Sequence, residues 1–282
     1  MFIRDPCGIV CILVTYAAVF YADYVVVKWI VFQTMIESLW GAFNVVMFNT
    51  VIFLLTMSHL KAVVTDPGTV PLDNTDQEKD HLHADFSGCD WTMCTRCDTY
   101  RPPRAHHCRI CQRCIKRMDH HCPWINNCVG ERNQKYFIQF LIYVGILSAY
   151  AIVLVVVSWL TECKDCQQNI PLKQARMDNF IFMRKREYND EISMRSMHCV
   201  ILLLESALFG MFVSAILVDQ IQAILSDETA VEQVQHQGPF RPHKEKMALL
   251  AEVCGRQHPF LWLLPCSGVP RKHEYPDVDH VV

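Results

Sequence analysis

Cys94-Thr95-Arg96-Cys97 is followed after nine residues by His107-Cys108-Arg109-Ile110-Cys111-Gln112-Arg113-Cys114. Four residues later comes Asp119-His120-His121-Cys122, and after five more, Cys128. Between Cys89 and Cys128 the chain places eight cysteines and four histidines in forty residues. Thiols and imidazoles at this density, in short C-x2-C pairs, are the donor pattern of structural zinc, which takes four such ligands in a tetrahedron. Cys94/Cys97 and Cys108/Cys111 are two such pairs, and Cys114 extends the second. Two closed sites consume eight of the twelve groups. Four are spare, and Cys89, His106, His120 and Cys122 are the candidates. Spacing alone leaves the pairing of ligands open, but it leaves a thiol over for chemistry.

On either side of this stretch the chain is apolar. Of 282 residues, 51% are hydrophobic, and the mean hydropathy is positive. The net charge of −3 points to no partner by bulk electrostatics. Four apolar runs, roughly 8–27, 41–58, 137–160 and 197–218, each approach the twenty or so residues that cross about 30 Å of hydrocarbon. The third, from Phe137 to Leu160, carries no charge. The second holds Asn44 and Asn49, the first holds Asp23 near one end, and the fourth holds Glu205 near its middle. An ionised group at that depth is expensive, so Glu205 reads as hydrogen-bonded to another helix or protonated. The first run lacks a small-residue cleavage site and reads as a span rather than a leader.

With four spans, the N-terminus, the connection 60–136 and the tail share one face of the membrane. They carry 18 of the 26 Lys and Arg residues, against 8 in the connections 28–38 and 161–198. That bias places the cysteine-rich segment and both termini in the cytosol, where reduced thiols persist. Arg184-Lys185-Arg186 lies on the other side among acidic residues, in what reads as a solvated lumenal loop. Cys163 and Cys166 there are candidates for oxidation.

The run from Cys94 to Cys128, with its central Asp-His-His-Cys, resembles the cysteine-rich domain of the DHHC protein S-acyltransferases, the palmitoyltransferases. The resemblance implies two interleaved Cys3His zinc sites: Cys94, Cys97, His107 and Cys114 in one, and Cys108, Cys111, His121 and Cys128 in the other. It leaves His120 and Cys122 free of metal and gives Cys122 the part of acylated nucleophile. Further motifs extend it. Asp66-Pro67-Gly68 matches the family's DPG motif, and its Pro-Gly pair reads as a turn that stops the second helix. Thr229-Ala230-Val231-Glu232 is similar to the family's TTxE motif, with Ala230 in place of the second threonine. Leu249 stands where the family usually has an asparagine. The start Phe2-Ile3-Arg4-Asp5-Pro6-Cys7-Gly8 and the end His280-Val281-Val282 are most like the Golgi-type subgroup, which favours a Golgi or other endomembrane location over the plasma membrane.

The residue types fit that chemistry. Cysteine is nucleophilic as its thiolate. His120 is placed to take the Cys122 proton, and Asp119 to orient the imidazole, as in a nucleophile–base–orienter triad. The matching donor for a thiolate is the thioester of acyl-CoA. Two steps are expected: acyl transfer to Cys122, then to cysteines of protein substrates in the cytosol near the bilayer. Trp124 is expected to line the acyl cavity and Leu147 to floor it. Arg109, Arg113 and Lys116, with Arg96, Arg101, Arg104 and Arg117, are expected to divide between balancing thiolate charge and docking polyanionic CoA. A basic zinc module also suits nucleic acid; membrane tethering on both sides excludes that partner here. The C-terminal Val281-Val282 is a candidate PDZ ligand.

The expected fold class is therefore all-α and integral to the membrane, with four helices and a small cytosolic two-zinc domain between helices 2 and 3. The expected divisions are 1–62 (first two spans), 63–88 (DPG turn and polar linker), 89–135 (zinc domain), 136–160 (third span), 161–196 (lumenal loop), 197–220 (fourth span) and 221–282 (tail). A membrane-anchored zinc scaffold of RING type is the competing reading, and the spare Cys122 beside His120 is what it does not need. A transporter, suggested by Asp23 and Glu205, would leave the zinc domain unexplained.

Overall fold

The computed structural model describes residues 5–35, 38–72, 91–168 and 179–265, with the side chains of 162–189 left aside. Cys89, the linker, the first four residues, the C-terminal Val281-Val282 and the side chains of Cys163, Cys166 and Arg184-Lys185-Arg186 lie outside that description.

Helix α1 (Pro6–Tyr24) continues through a π-helical segment, Val25–Val31, and three further helical residues, Phe32–Thr34. Helix α2 is Leu39–Val64, α3 is Gln134–Gln168 and α4 is Asn179–Ser226. Within them, Pro6–Thr34, Leu39–Val64, Gln134–Thr161 and Asp190–Ser226 are long and apolar enough to cross a bilayer. Leu13, Phe20, Phe53, Leu208 and Met211 on these segments stand exposed, as side chains facing lipid would. The stretch 161–196, expected as a loop, is helical at both ends, because α3 runs on to Gln168 and α4 begins at Asn179. Apolar runs mark only the part of a helix in hydrocarbon; once nucleated, a helix propagates readily into water.

The expectation of a purely α fold is corrected by six short strands among the described residues between α2 and α3. They are β1 (Thr92–Cys94), β2 (Thr99–Arg101), β3 (His106–Cys108), β4 (Arg113–Ile115), β5 (His120–Cys122) and β6 (Asn127–Val129). They pair as three antiparallel hairpins. The physical reason lies in the ligand spacing: a C-x2-C pair at the end of one hairpin meets a histidine and a cysteine paired across the ladder of the next, which aims four side chains at one point as a helix does not. Asp98 and Gln112, each just after the second cysteine of a pair, take positive φ of 50° and 53° to close these tight turns.

The chain clusters into two compact units. One comprises Met1–Thr15, Leu54–Leu141 and Ile216–Val282; the other comprises Tyr16–Phe53 and Ile142–Ala215. In the second unit, the polar residues of the apolar runs find partners. Tyr150 Oη donates to the buried Asn44 side chain at 2.6 Å, and Asn49 Nδ2 donates to Asp23 at 3.2 Å. His198 lies 3.0 Å from the Tyr21 hydroxyl and stacks on Trp29 of the π-helical segment at 5.0 Å. Glu205 is half-buried, within electrostatic reach of Tyr21.

In the first unit, the hairpins are fastened to the end of α2. Asn127 Nδ2 lies 3.0–3.2 Å from the carbonyls of Ala62, Val63 and Thr65, acceptors that a helix C-terminus leaves without intrahelical donors. His59 donates to the Trp124 carbonyl at 3.0 Å. Asp66 closes the DPG turn by accepting the Gly68 and Thr69 N–H groups, both at 2.7 Å, with Gly68 at φ 107°. The chain then lies beside β4, with Lys116 N–H donating to Gly68 and Val70 N–H to Cys114.

Candidate active site and metal centres

Strand alternation explains how so many donors sort themselves. Successive residues of a strand face opposite sides. In β3, His107 and Cys108 therefore point apart, and they enter different clusters. In β5, His121 faces one way while His120 and Cys122 share the other face. The ladders bring His107 opposite Cys114 and His121 opposite Cys128.

Two groups result: Cys94, Cys97, His107 and Cys114, and Cys108, Cys111, His121 and Cys128, each with its ligand atoms within 4.8 Å of one another. His107 Nδ1 is 3.1 Å from Cys97 Sγ, and Cys97 Sγ is 3.8 Å from Cys114 Sγ. In the second group Cys111 Sγ is 3.3 Å from Cys128 Sγ and 3.4 Å from His121 Nδ1. A zinc–sulfur bond near 2.3 Å puts the sulfurs of a tetrahedron about 3.8 Å apart. The donor sets fit zinc by type and by spacing. His121 keeps its Nδ1 toward the thiols, and its Nε2 lies 4.0 Å from Asp5 Oδ2, beyond hydrogen-bond range.

On the other face of β5, His120 Nδ1 donates to Asp119 Oδ2 at 2.7 Å. Cys122 lies within electrostatic reach of the same imidazole. Cys122 is buried and belongs to neither cluster, while the His120 side chain is 35% exposed. Burial alone would lower the His120 pKa; the hydrogen bond to Asp119 and the neighbouring Cys122 outweigh it and raise the value to about 9. Burial likewise opposes ionisation of Asp119, but the His120, Ala230 and Gln220 hydrogen bonds hold its pKa below the ordinary value.

Two of those partners were not read from the sequence. Gln220 Nε2 donates to Asp119 Oδ2 at 2.7 Å, and the Ala230 backbone N–H donates to Oδ1 at 2.8 Å. Asp119 and Gln220 are 2% and 4% exposed. The alanine in the TTxE-like segment therefore keeps a contact to the site, made by its main chain. Thr229 and Glu232 form a reciprocal capping box on α5 (Ala230–Val234), and Glu232 then reaches Arg104. Arg104 also binds Asp227 at 2.8 Å and lies 4.8 Å over the Phe240 ring. Arg241 completes the cluster with Asp227 at 2.6 Å and Glu252 at 2.9 Å. Burial opposes the charges of Asp227 and Glu232, yet their arginine partners keep both pKa values lowered, and Arg104 is correspondingly raised.

The structure thus divides the basic residues. Arg104 and Arg117 are committed to carboxylates of the tail, and Arg101 Nε to Thr92. Arg109 is exposed, and Arg113 and Lys116 are half-buried. Trp124 sits in the 3-10 turn Pro123–Ile125 directly after Cys122. Leu147 is buried in α3. Leu249 is buried in α6 (Lys246–Cys254).

A family model described as DHHC palmitoyltransferase matches residues 89–237, more than half of the chain. The chain belongs to the DHHC palmitoyltransferase family. Among the relatives of this family member, palmitoyltransferase ZDHHC7 of Mus musculus is 34% identical over 274 residues, covering 95% of this chain and 81% of the relative. Palmitoyltransferase ZDHHC3 of Homo sapiens is 36% identical over 266 residues, covering 92% and 80%. A probable protein S-acyltransferase 15 of Arabidopsis thaliana is 36% identical over 148 residues, covering 52% and 58%. As a DHHC palmitoyltransferase, the chain is an enzyme that moves palmitoyl groups to protein cysteines.

Proposed function

We propose that this DHHC palmitoyltransferase works through a thioester on Cys122, with His120 as the base and Asp119 as its orienter. One observation carries the reading: Cys122 stands outside both Cys3His clusters, on the face of β5 where the Asp119–His120 pair lies. The Cys122 sulfur attacks the carbonyl of palmitoyl-CoA and the CoA thiolate leaves. His120 receives the Cys122 proton and returns one to the leaving sulfur. A substrate cysteine then attacks the Cys122 thioester, its proton passing by way of His120 to the departing Cys122 sulfur. The eight cluster residues would hold two zinc ions, which supply rigidity rather than chemistry.

Arg109, Arg113 and Lys116 are the cations we assign to the CoA phosphates, since Arg104 and Arg117 are already engaged. Trp124 and Leu147 are assigned to the acyl chain. The Lys/Arg distribution supports cytosolic termini and a cytosolic zinc domain, and with it substrates whose cysteines lie near the cytosolic membrane face. The resemblance of the N-terminal residues supports the Golgi, and Val281-Val282 a PDZ partner.

Intact-mass analysis after incubation with palmitoyl-CoA tests the reading. One hydroxylamine-labile palmitoyl group on Cys122, absent from Cys122→Ser while both zinc ions remain, is the expected result. A two-zinc protein that never takes the adduct on Cys122 would overturn the reading and leave a non-catalytic scaffold.

A further inference from the structure

We propose that Cys11, with Cys7 one turn before it, is a second acyl site loaded from the Cys122 thioester by intramolecular exchange. The inference rests on the acyl-Cys122 reading.

Contacts on both flanks of the nucleophile hold the first turns of α1 against it. Asp5 starts the helix by accepting the Cys7 and Gly8 N–H groups at 3.2 and 3.1 Å, and the same carboxylate faces His121 at 4.0 Å. Gly8 lies directly on Asn126: a Cβ built there would fall 2.3 Å from the Asn126 Oδ1. His121 precedes Cys122 by one residue, and Asn126 follows it by four. Those two anchors set the first turns of α1 beside the nucleophile, and Cys11, three residues after Gly8, lies one turn further along the face that rests on Asn126. Cys7 and Cys11 are spaced i, i+4 and share one helix face. Cys11 lies within electrostatic reach of Cys7, Cys122 and Asp5. Both cysteines are free and outside the metal clusters, Cys7 exposed and Cys11 half-buried.

The step balances without a co-reactant. The Cys11 sulfur attacks the carbonyl carbon of the Cys122 thioester, and a new carbon–sulfur bond forms as the old one breaks. The Cys11 proton ends on the Cys122 sulfur. One cysteine thioester replaces another, so the exchange is close to thermoneutral. Proximity makes it a first-order step that competes with transfer to a substrate. Cys11 lies in the apolar span Pro6–Thr34, so the transferred chain is delivered to a segment suited to hydrocarbon. The product is a stored acyl group that free Cys122 can take back by the reverse step.

The test uses full-length protein loaded with palmitoyl-CoA, stripped of free CoA species, and chased without donor while hydroxylamine-labile adducts are mapped by peptide mass spectrometry. Palmitate leaving Cys122 as it accumulates on Cys11 or Cys7, with the second adduct lost in the Cys7→Ala/Cys11→Ala variant, is the expected result. Labelling of Cys11 in Cys122→Ser at the wild-type rate would overturn the inference, because the acyl group would then come straight from palmitoyl-CoA. A loaded Cys122 that never passes its label to α1 would overturn it as well and leave the transferase reading standing. A two-zinc protein with no adduct on Cys122 would overturn both.

Discussion

His120 and His121 are chemically identical neighbours, and the pleat of β5 gives them opposite work. His121→Ala is expected to lose the second cluster's metal and the fold of its hairpin. His120→Ala is expected to keep both zinc ions and to load Cys122 roughly 10²- to 10⁴-fold more slowly, the ordinary contribution of a positioned base. Zinc stoichiometry and single-turnover loading, measured on the same preparations, check the pair; retention of two zinc ions by His121→Ala would refute the ligand set. The spare-group count makes Cys122 legible in the sequence, because a thiol beyond the eight required stands beside an imidazole. Gln220 was not legible. It lies 101 residues from Asp119, in an apolar helix where a glutamine reads as a helix-to-helix contact, and only the fold brings it to the carboxylate. Gln220→Leu removes one donor to a buried charge and is expected to slow loading by roughly tenfold or more with substrate KM unchanged. An unaltered rate would restrict Gln220 to packing.

The elements of the zinc domain were half-legible. Cysteine spacing announces metal, but it does not announce strands, since three-residue strands such as β1 and β4 are too short to show a period. The tail was less legible still. Arg104 reads as one more cation of a basic module, whereas its side chain is buried between Asp227 and Glu232. Breaking one partner of a buried pair leaves an uncompensated charge, so Glu232→Gln is expected to destabilise the unit by about 3–5 kcal/mol. The pH dependence has a definite sign. Both carboxylates are held below their ordinary values, so their contribution is complete above about pH 5 and is lost as pH falls through the lower folded values. Denaturation of wild type and Glu232→Gln side by side should therefore show a gap that is constant near neutrality and narrows in acid. A gap independent of pH would remove the ion pair as its cause.

At the scale of the molecule, hydropathy alone located the four helices among the described residues that are long and apolar enough to cross a membrane, because an apolar run near twenty residues has few other uses. It did not locate their ends, which run on into polar sequence. The acyl-chain assignment belongs to this scale: Leu147→Ala is expected to extend use toward longer acyl-CoA donors, and an unchanged chain-length profile would exclude Leu147 from the cavity. The contact between Asp119 and Ala230 joins positions 111 residues apart through a main-chain donor. A bond made by the backbone does not register which side chain stands above it, so residue 230 can drift while the contact persists, and a motif written in side chains misjudges it. The first position of a helix ordinarily welcomes proline, because its N–H has no helical acceptor to lose. Here that N–H is spent on Asp119. Ala230→Pro should therefore leave α5 and both zinc ions intact while slowing Cys122 loading, with Ala230→Thr near wild type, so a contact indifferent to the side chain is closed to the one residue a helix start usually prefers.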